Sequence, residues 1–135
     1  MTAKCYYLIV ILYCIVIVNC DDVTVPRGGN VTLRCDHNQQ GGSVENVVWY
    51  YLDTSPPEAI GYWTPEDGYF EVEGTQWSGR TNITSYLGDL FIEQLSVEDE
   101  GRYRCECNGD TKGEPNLIIT GKICYSYQLI IMLIL

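Results

Sequence analysis

Basic residues are scarce. Eight Lys and Arg stand against eighteen Asp and Glu, a formal charge of −10 with a sequence pI near 4.3. A nucleic-acid binder needs a basic patch to displace counterions from phosphates, so that class is excluded. Attraction to an anionic lipid surface is disfavoured for the same reason. Histidine is nearly absent, one residue in 135, which removes most imidazole-based metal sites and catalytic triads. No phosphate loop, dinucleotide fingerprint or zinc-protease motif occurs. There is no internal repeat, no low-complexity segment and no amphipathic helical run of useful length. What is present is globular in composition, with 46% apolar and 19% charged residues, so wholesale disorder is excluded. The length allows one domain.

Both ends differ from the middle. Residues 1–20 place Lys4 before an apolar stretch from Tyr6 to Val18, then Asn19, Cys20 and the acidic pair Asp21 and Asp22. This is the layout of a secretory signal peptide cleaved before Asp21, with Val18 and Cys20 in the small-residue positions. The apolar run is short for an uncleaved anchor, which takes roughly 20 residues. Cleavage removes Cys5, Cys14 and Cys20 and leaves Cys35, Cys105, Cys107 and Cys124. In the oxidising compartment this implies, disulfides are the default reading of cysteine. Residues 123–135 form an apolar tail, ICYSYQLIIMLIL. Thirteen helical residues span about 20 Å, short of a hydrocarbon core of about 30 Å. A short or truncated membrane segment is the expectation; a lipid-anchor signal and a merely sticky terminus are the alternatives.

The middle, residues 21–122, reads as strands. Short β-branched or aromatic runs recur at Val31–Cys35, Val47–Leu52, Ala59–Trp63, Tyr69–Val72, Asn82–Tyr86, Leu90–Leu95, Arg102–Cys107 and Leu117–Thr120. Turn-forming residues separate them, among them Arg27-Gly28-Gly29-Asn30, Gln40-Gly41-Gly42-Ser43, Ser55-Pro56-Pro57 and Asn108-Gly109-Asp110. Strands at this spacing indicate an all-β sandwich or barrel. Alternation puts Val31, Leu33 and Cys35 on one side of their strand, and Tyr103 with Cys105 on one side of another. One-sided apolar strands need a second sheet to cover them.

Cys35 is followed fourteen residues later by Trp49 and seventy residues later by Cys105. Before the second cysteine stands Asp99-Glu100-Gly101-Arg102-Tyr103-Arg104-Cys105, with Tyr103 two residues ahead of it. Over about residues 23–120 the chain therefore resembles an immunoglobulin-superfamily domain. The long interval between the cysteines, with room for extra strands, resembles the variable (V-set) type. The resemblance implies a two-sheet antiparallel β-sandwich with Greek-key topology. It implies a Cys35–Cys105 disulfide joining the sheets, worth about 4 kcal/mol by loop closure. It implies Trp49 packed on that bond, a hydroxyl bond from Tyr103 to backbone near Asp99, and an Arg80–Asp99 pair across the bottom of the sandwich. These residues carry structure rather than function. The final strand, NLIITGK over residues 116–122, lacks the Gly-x-Gly bulge of rearranged antigen receptors. That departure favours an innate-type receptor, costimulatory ligand or adhesion module.

Function then falls to the surface. With Trp49 facing in, Val48 and Tyr50 face out on the sheet that also carries Tyr62 or Trp63 and Tyr69. Exposed aromatics give large contact area at low entropic cost and suit protein recognition. Tyr50, Tyr62, Trp63 and Tyr69 are the candidate contacts, with Glu66 and Asp67 beside them. Three loops, Asp36–Asn46, Thr64–Gly68 and Asn108–Glu114, are expected at one end, where Glu66, Asp67, Glu71, Glu73, Glu106, Asp110 and Glu114 make an acidic rim. Such a rim steers a basic partner, or simply keeps the domain soluble. The expected partner is a protein ligand or receptor with a basic surface; self-dimerisation and release as a soluble binder are alternatives. The expected location is the secretory pathway, then the cell surface or the medium.

Asn30-Val31-Thr32 and Asn82-Ile83-Thr84 are N-glycosylation sequons at Asn30 and Asn82, the second on the sheet opposite the proposed binding face. Cys107 and Cys124 lie outside the frame and have three options: pairing with each other, remaining free, or linking two chains. A hairpin turning near Thr111 places Cys107 across from about Asn116, not Cys124. An interchain bridge fits Cys124, beside the tail. No metal site is expected, because two cysteines belong to the frame and no second His exists. His37 sits in a loop with Asp36 and Ser43, with no rigid support for nucleophilic chemistry. The reading is a non-catalytic domain without cofactor.

Overall fold

The computed structural model describes residues 6–11, 14–19, 22–35, 44–84 and 88–121. An antiparallel pair comes first. Strands β1 (Tyr6–Ile11) and β2 (Cys14–Asn19) run from Tyr6 opposite Asn19 to Ile11 opposite Cys14 as a separate two-stranded sheet. That pair occupies the stretch expected to be a signal peptide. Ten further strands build the domain: β3 (Asp22–Pro26), β4 (Val31–Leu33), β5 (Val47–Tyr51), β6 (Glu58–Thr64), β7 (Gly68–Glu71), β8 (Thr81–Thr84), β9 (Asp89–Ile92), β10 (Gly101–Cys107), β11 (Asp110–Gly113) and β12 (Asn116–Thr120).

One sheet runs β3-β12-β10-β5-β6-β7, with β11 also on β10; the other runs β4-β9-β8. The chain changes sheet between β3 and β4, between β4 and β5, between β7 and β8, and again between β9 and β10. These are the crossings of a Greek-key sandwich. All described pairings are antiparallel except β3 on β12, which is parallel from Asn116 opposite Asp22 to Thr120 opposite Pro26.

Within residues 21–122, two strands fall where sequence pattern indicates none. Asp22–Pro26 is too short to show a clear period, and it sits beside the expected cleavage point. Asp110–Gly113 lies inside the expected Asn108–Glu114 loop. There Asn108 and Gly109 both hold positive φ, 52° and 84°, the conformation of a two-residue hairpin turn. The hairpin therefore turns at Asn108-Gly109 and sets Cys107 opposite Asp110, not Asn116.

The core lies between the sheets. Leu33, Val47, Trp49, Ile60, Leu90, Ile92, Tyr103, Cys105 and Leu117 are fully buried. Cys35, just past β4, is disulfide-bonded to Cys105 in β10, so the bond joins the two sheets. Trp49 stands directly opposite Cys105 across β5 and β10, and its indole N–H donates to the Gly88 carbonyl at 2.7 Å. Trp77, in the turn-rich segment before β8, is wholly buried as well. It packs tilted against Tyr51 and edge-on to Tyr103, ring centroids 5.0 and 6.2 Å away. A loop tryptophan carries no strand periodicity, so alternation could not find it.

The bottom of the sandwich is closed by charge. Asp99 is the buried charged residue among those described, in the 3₁₀ turn Val97–Asp99. Arg80 grips its carboxylate with both terminal nitrogens at 2.8 Å. The Ser96 N–H and the Gln76 amide donate to it too. The Tyr103 hydroxyl donates to the Asp99 carbonyl, and Arg80 also reaches the carbonyls of Gln76, Glu93 and Gln94. Burial opposes ionisation of Asp99, but the Arg80 guanidinium and the other donors prevail and hold its pKa below the ordinary value.

A depressed folded-state pKa stabilises the fold above the unfolded value, about 3.9, and that stability is lost as pH falls through the folded pKa. Chemical denaturation below about pH 4 is expected to show this loss. Arg80→Met strands a buried carboxylate and is expected to cost about 3 kcal/mol at neutral pH. Its stability then rises on acidification as Asp99 takes up a proton. An Arg80→Met protein with unchanged stability and pH profile would contradict this account.

Candidate functional site

The larger sheet has an outward face that the core does not use. Side chains alternate across a strand, so Trp49 facing in sends Val48 and Tyr50 out. Register carries this parity sideways. Glu106 lies opposite Val48, Val48 opposite Tyr62, and Tyr62 opposite Phe70. Four strands thus contribute one continuous outward row. Tyr62 and Phe70 are 41% and 49% exposed, large apolar groups that the fold leaves in water. Arg104 and Tyr50 form the adjacent row.

The charged groups around it are organised. Arg104 pairs with Glu114 at 2.9 Å. The Tyr50 phenol is pushed above its ordinary pKa by partial burial and then by the neighbouring Glu106 carboxylate, so it is a neutral donor. Glu66, Asp67 and Asp110 are exposed. Register puts the β6–β7 turn at the same end of the sheet as the Asn108-Gly109 turn, because Val47 faces both Trp63 and Cys107. The Asn108 side-chain carbonyl oxygen accepts from the Glu45 and Asn46 N–H groups at 2.7 and 3.1 Å, tying two of the expected end loops together. Most of the first loop, residues 36–43, lies outside the described residues, with His37 and Ser43 in it.

Several expected contacts are elsewhere. Trp63 and Tyr69 turn inward, half-buried against the core. Tyr69 lies over Gly61, where a Cβ would meet its ring at 2.6 Å, and its hydroxyl shares a 2.6 Å hydrogen bond with the Thr81 hydroxyl. Both are corrected from surface to core by strand parity: Trp63 lies opposite Val47, and Tyr69 opposite Trp63. Glu71 is engaged too. Its carboxylate accepts from the Gly79 N–H at 2.6 Å and the Thr81 hydroxyl at 3.2 Å, so it is structural rather than part of a rim. Phe70 escapes sequence reasoning. Two adjacent aromatics, Tyr69 and Phe70, cannot be told apart by composition, and only pairing with β6 sorts them.

The family follows from a direct comparison. The model of the immunoglobulin V-set domain matches residues 19–118. The chain belongs to the V-set family. This V-set domain is 34% identical over 71 residues to the human low affinity immunoglobulin gamma Fc region receptor III-B, covering 50% of the chain and 28% of that protein. The chain thus spans little more than a quarter of that relative's length. Among solved structures it resembles the CD2-binding domain of CD58, with TM-score 0.57 and 18% identity over 73% of this chain and 52% of that one. CD84, described under SLAM family function, gives TM-score 0.55 and 23% identity over 73% and 96%. Likeness at this identity speaks to the fold. Such V-set domains and receptors are typically non-catalytic.

Among the described residues no group of His, Cys, Asp and Glu could hold a metal ion, and no helix is long and apolar enough to cross a membrane. Cys107 of the V-set domain is a free thiol, 5% exposed in the core. That burial speaks against an interchain link through Cys107 itself; Cys124, the other cysteine outside the frame, lies outside the described residues. Burial pushes the Cys107 thiol pKa up, only partly offset by Lys112, so the reactive thiolate is suppressed. Iodoacetamide is expected to leave Cys107 unmodified in the native protein and to label it fully in denaturant, read by peptide mass. Rapid native labelling would show that the β10–β11 corner opens.

Proposed function

We propose that this V-set domain is a non-catalytic recognition module of the secretory pathway, displayed at the cell surface, and that it binds a protein through the outward face of its larger sheet. The observation that carries the reading is the row Val48–Tyr62–Phe70, with Tyr50 beside it and Tyr62 and Phe70 left exposed. A folded domain gains nothing by leaving two large aromatics adjacent in water, whereas an interface core enriched in aromatics does. The exposed Glu66, Asp67 and Asp110 at one end, and the overall charge of −10, fit a partner with a basic surface and a salt-sensitive association rate.

In this reading residues 1–20 are the cleaved signal, 21–122 the domain, and 123–135 the membrane-associated tail. The human Fc receptor relatives are immune receptors by name, which supports a receptor role here without naming the ligand. Release as a soluble decoy is the second reading, and the tail decides between them. A homodimer through the same face is disfavoured by charge, because two acidic rims would meet.

Expression of the full chain in secretory cells, tagged after Asp22, separates surface display from release. Multimers of the tagged domain are then tested for saturable staining of cells. Tyr62→Ala and Phe70→Ala are each expected to weaken binding about tenfold or more with little loss of stability. Tyr69→Ala is expected to lower the melting temperature instead. Binding untouched by both outward substitutions would end the sheet-face reading.

A further inference from the structure

The smaller sheet has an outward face of a different kind. In β4-β9-β8 the residues Leu33, Leu90 and Ile83 share the inner side, and Val31 and Ile92 join them. The alternate row is Thr32–Phe91–Asn82, in register across all three strands. Thr32 and Asn82 are exposed and Phe91 is half-buried. Phe91 is thus an aromatic in the middle of a solvent-facing sheet. The aromatic contacts found among the described residues join only Tyr51, Trp77 and Tyr103. Its direct cross-strand neighbour, Asn82, begins the sequon Asn82-Ile83-Thr84.

We infer that Asn82 carries an N-linked oligosaccharide whose first pyranose ring lies on Phe91, closing the smaller sheet to protein partners. This rests on the secretory reading above. Directly opposite residues in an antiparallel pair have Cβ atoms about 5 Å apart, so a sugar attached to the Asn82 amide starts beside the Phe91 ring. The C–H face of a pyranose is weakly positive, and the face of an aromatic ring is negative. The exposed part of the ring thus gains a cover that no aromatic neighbour among the described residues supplies. In the modifying step the Asn82 Nδ2 bonds to C1 of the sugar and loses a proton. The bond from that carbon to phosphate breaks in a lipid-pyrophosphate oligosaccharide donor, and the lipid pyrophosphate leaves. The second sequon, Asn30-Val31-Thr32, lies at the entry to β4. There the Asn30 side-chain carbonyl oxygen accepts from the Gln94 N–H at 3.2 Å, and no aromatic stands opposite it in the ladder.

The test uses the full chain from secretory cells, in an Asn30→Gln background so that one sequon remains. Peptide mass mapping is expected to find a glycan on Asn82, lost in Asn82→Gln. An endoglycosidase that leaves only the first sugar is expected to preserve the melting temperature, and an amidase that removes every sugar is expected to lower it by several degrees. Phe91→Ala is expected to abolish the difference between the two treatments while the chain still folds. A bare Asn82 in chain recovered with its Cys35–Cys105 bond formed overturns this inference and leaves the secretory reading standing. So does a glycan-dependent shift that persists in Phe91→Ala. Failure of the chain to enter the secretory pathway overturns both.

Discussion

Trp49 and Cys105 face each other across β5 and β10, and much of the molecule takes its orientation from that buried contact. Cys105 is bonded to Cys35 beyond β4, so the same point binds one sheet to the other. A large indole with no exposure can face only the interior. Because strand side chains alternate strictly, its inward direction sets every neighbour on β5 and, through register, on β6, β7 and β10. The outward row of Val48, Tyr62 and Phe70 is a consequence of what the core requires. A slip of one residue would bury Tyr62 and expose Trp63.

The fold separates two kinds of polar work. Asp99, Arg80, Gln76 and Tyr103 form a satisfied network at the bottom, where both oxygens of the buried carboxylate have donors. Removing one partner there leaves a buried charge without compensation, so breaking the network is costly. Elsewhere on the larger sheet, charges are exposed or loosely paired. Arg104–Glu114 and Arg102–Asp53 are ion pairs with partly solvated partners, and pairs of that kind contribute little to stability. They shape the field that an approaching partner meets.

The two faces of the sandwich then differ in chemistry. The larger sheet presents exposed aromatics edged with carboxylates. The smaller presents hydroxyl, amide and one half-covered ring.

Much of the frame is legible in the amino-acid sequence. Cys35, Trp49, Tyr103 and Cys105 stand at spacings that suit a two-sheet sandwich, and the alternation in Val31–Cys35 and Arg102–Cys105 assigns an inner side. Arg80 and Asp99 are identifiable as partners, though far apart in sequence, only through the resemblance to the V-set frame. Local pattern cannot reach the rest. Trp77 fills the core from a segment without periodicity. Glu71 looks like surface charge until Gly79 and Thr81 are seen to donate to it. Tyr69 and Phe70 are neighbours of like character, and so are Tyr62 and Trp63, so sequence alone determined that aromatics crowd these two strands. Which of them face water was decided by pairing between strands, because the face of a side chain depends on the register of its strand against the next, and register is a property of the assembled sheet.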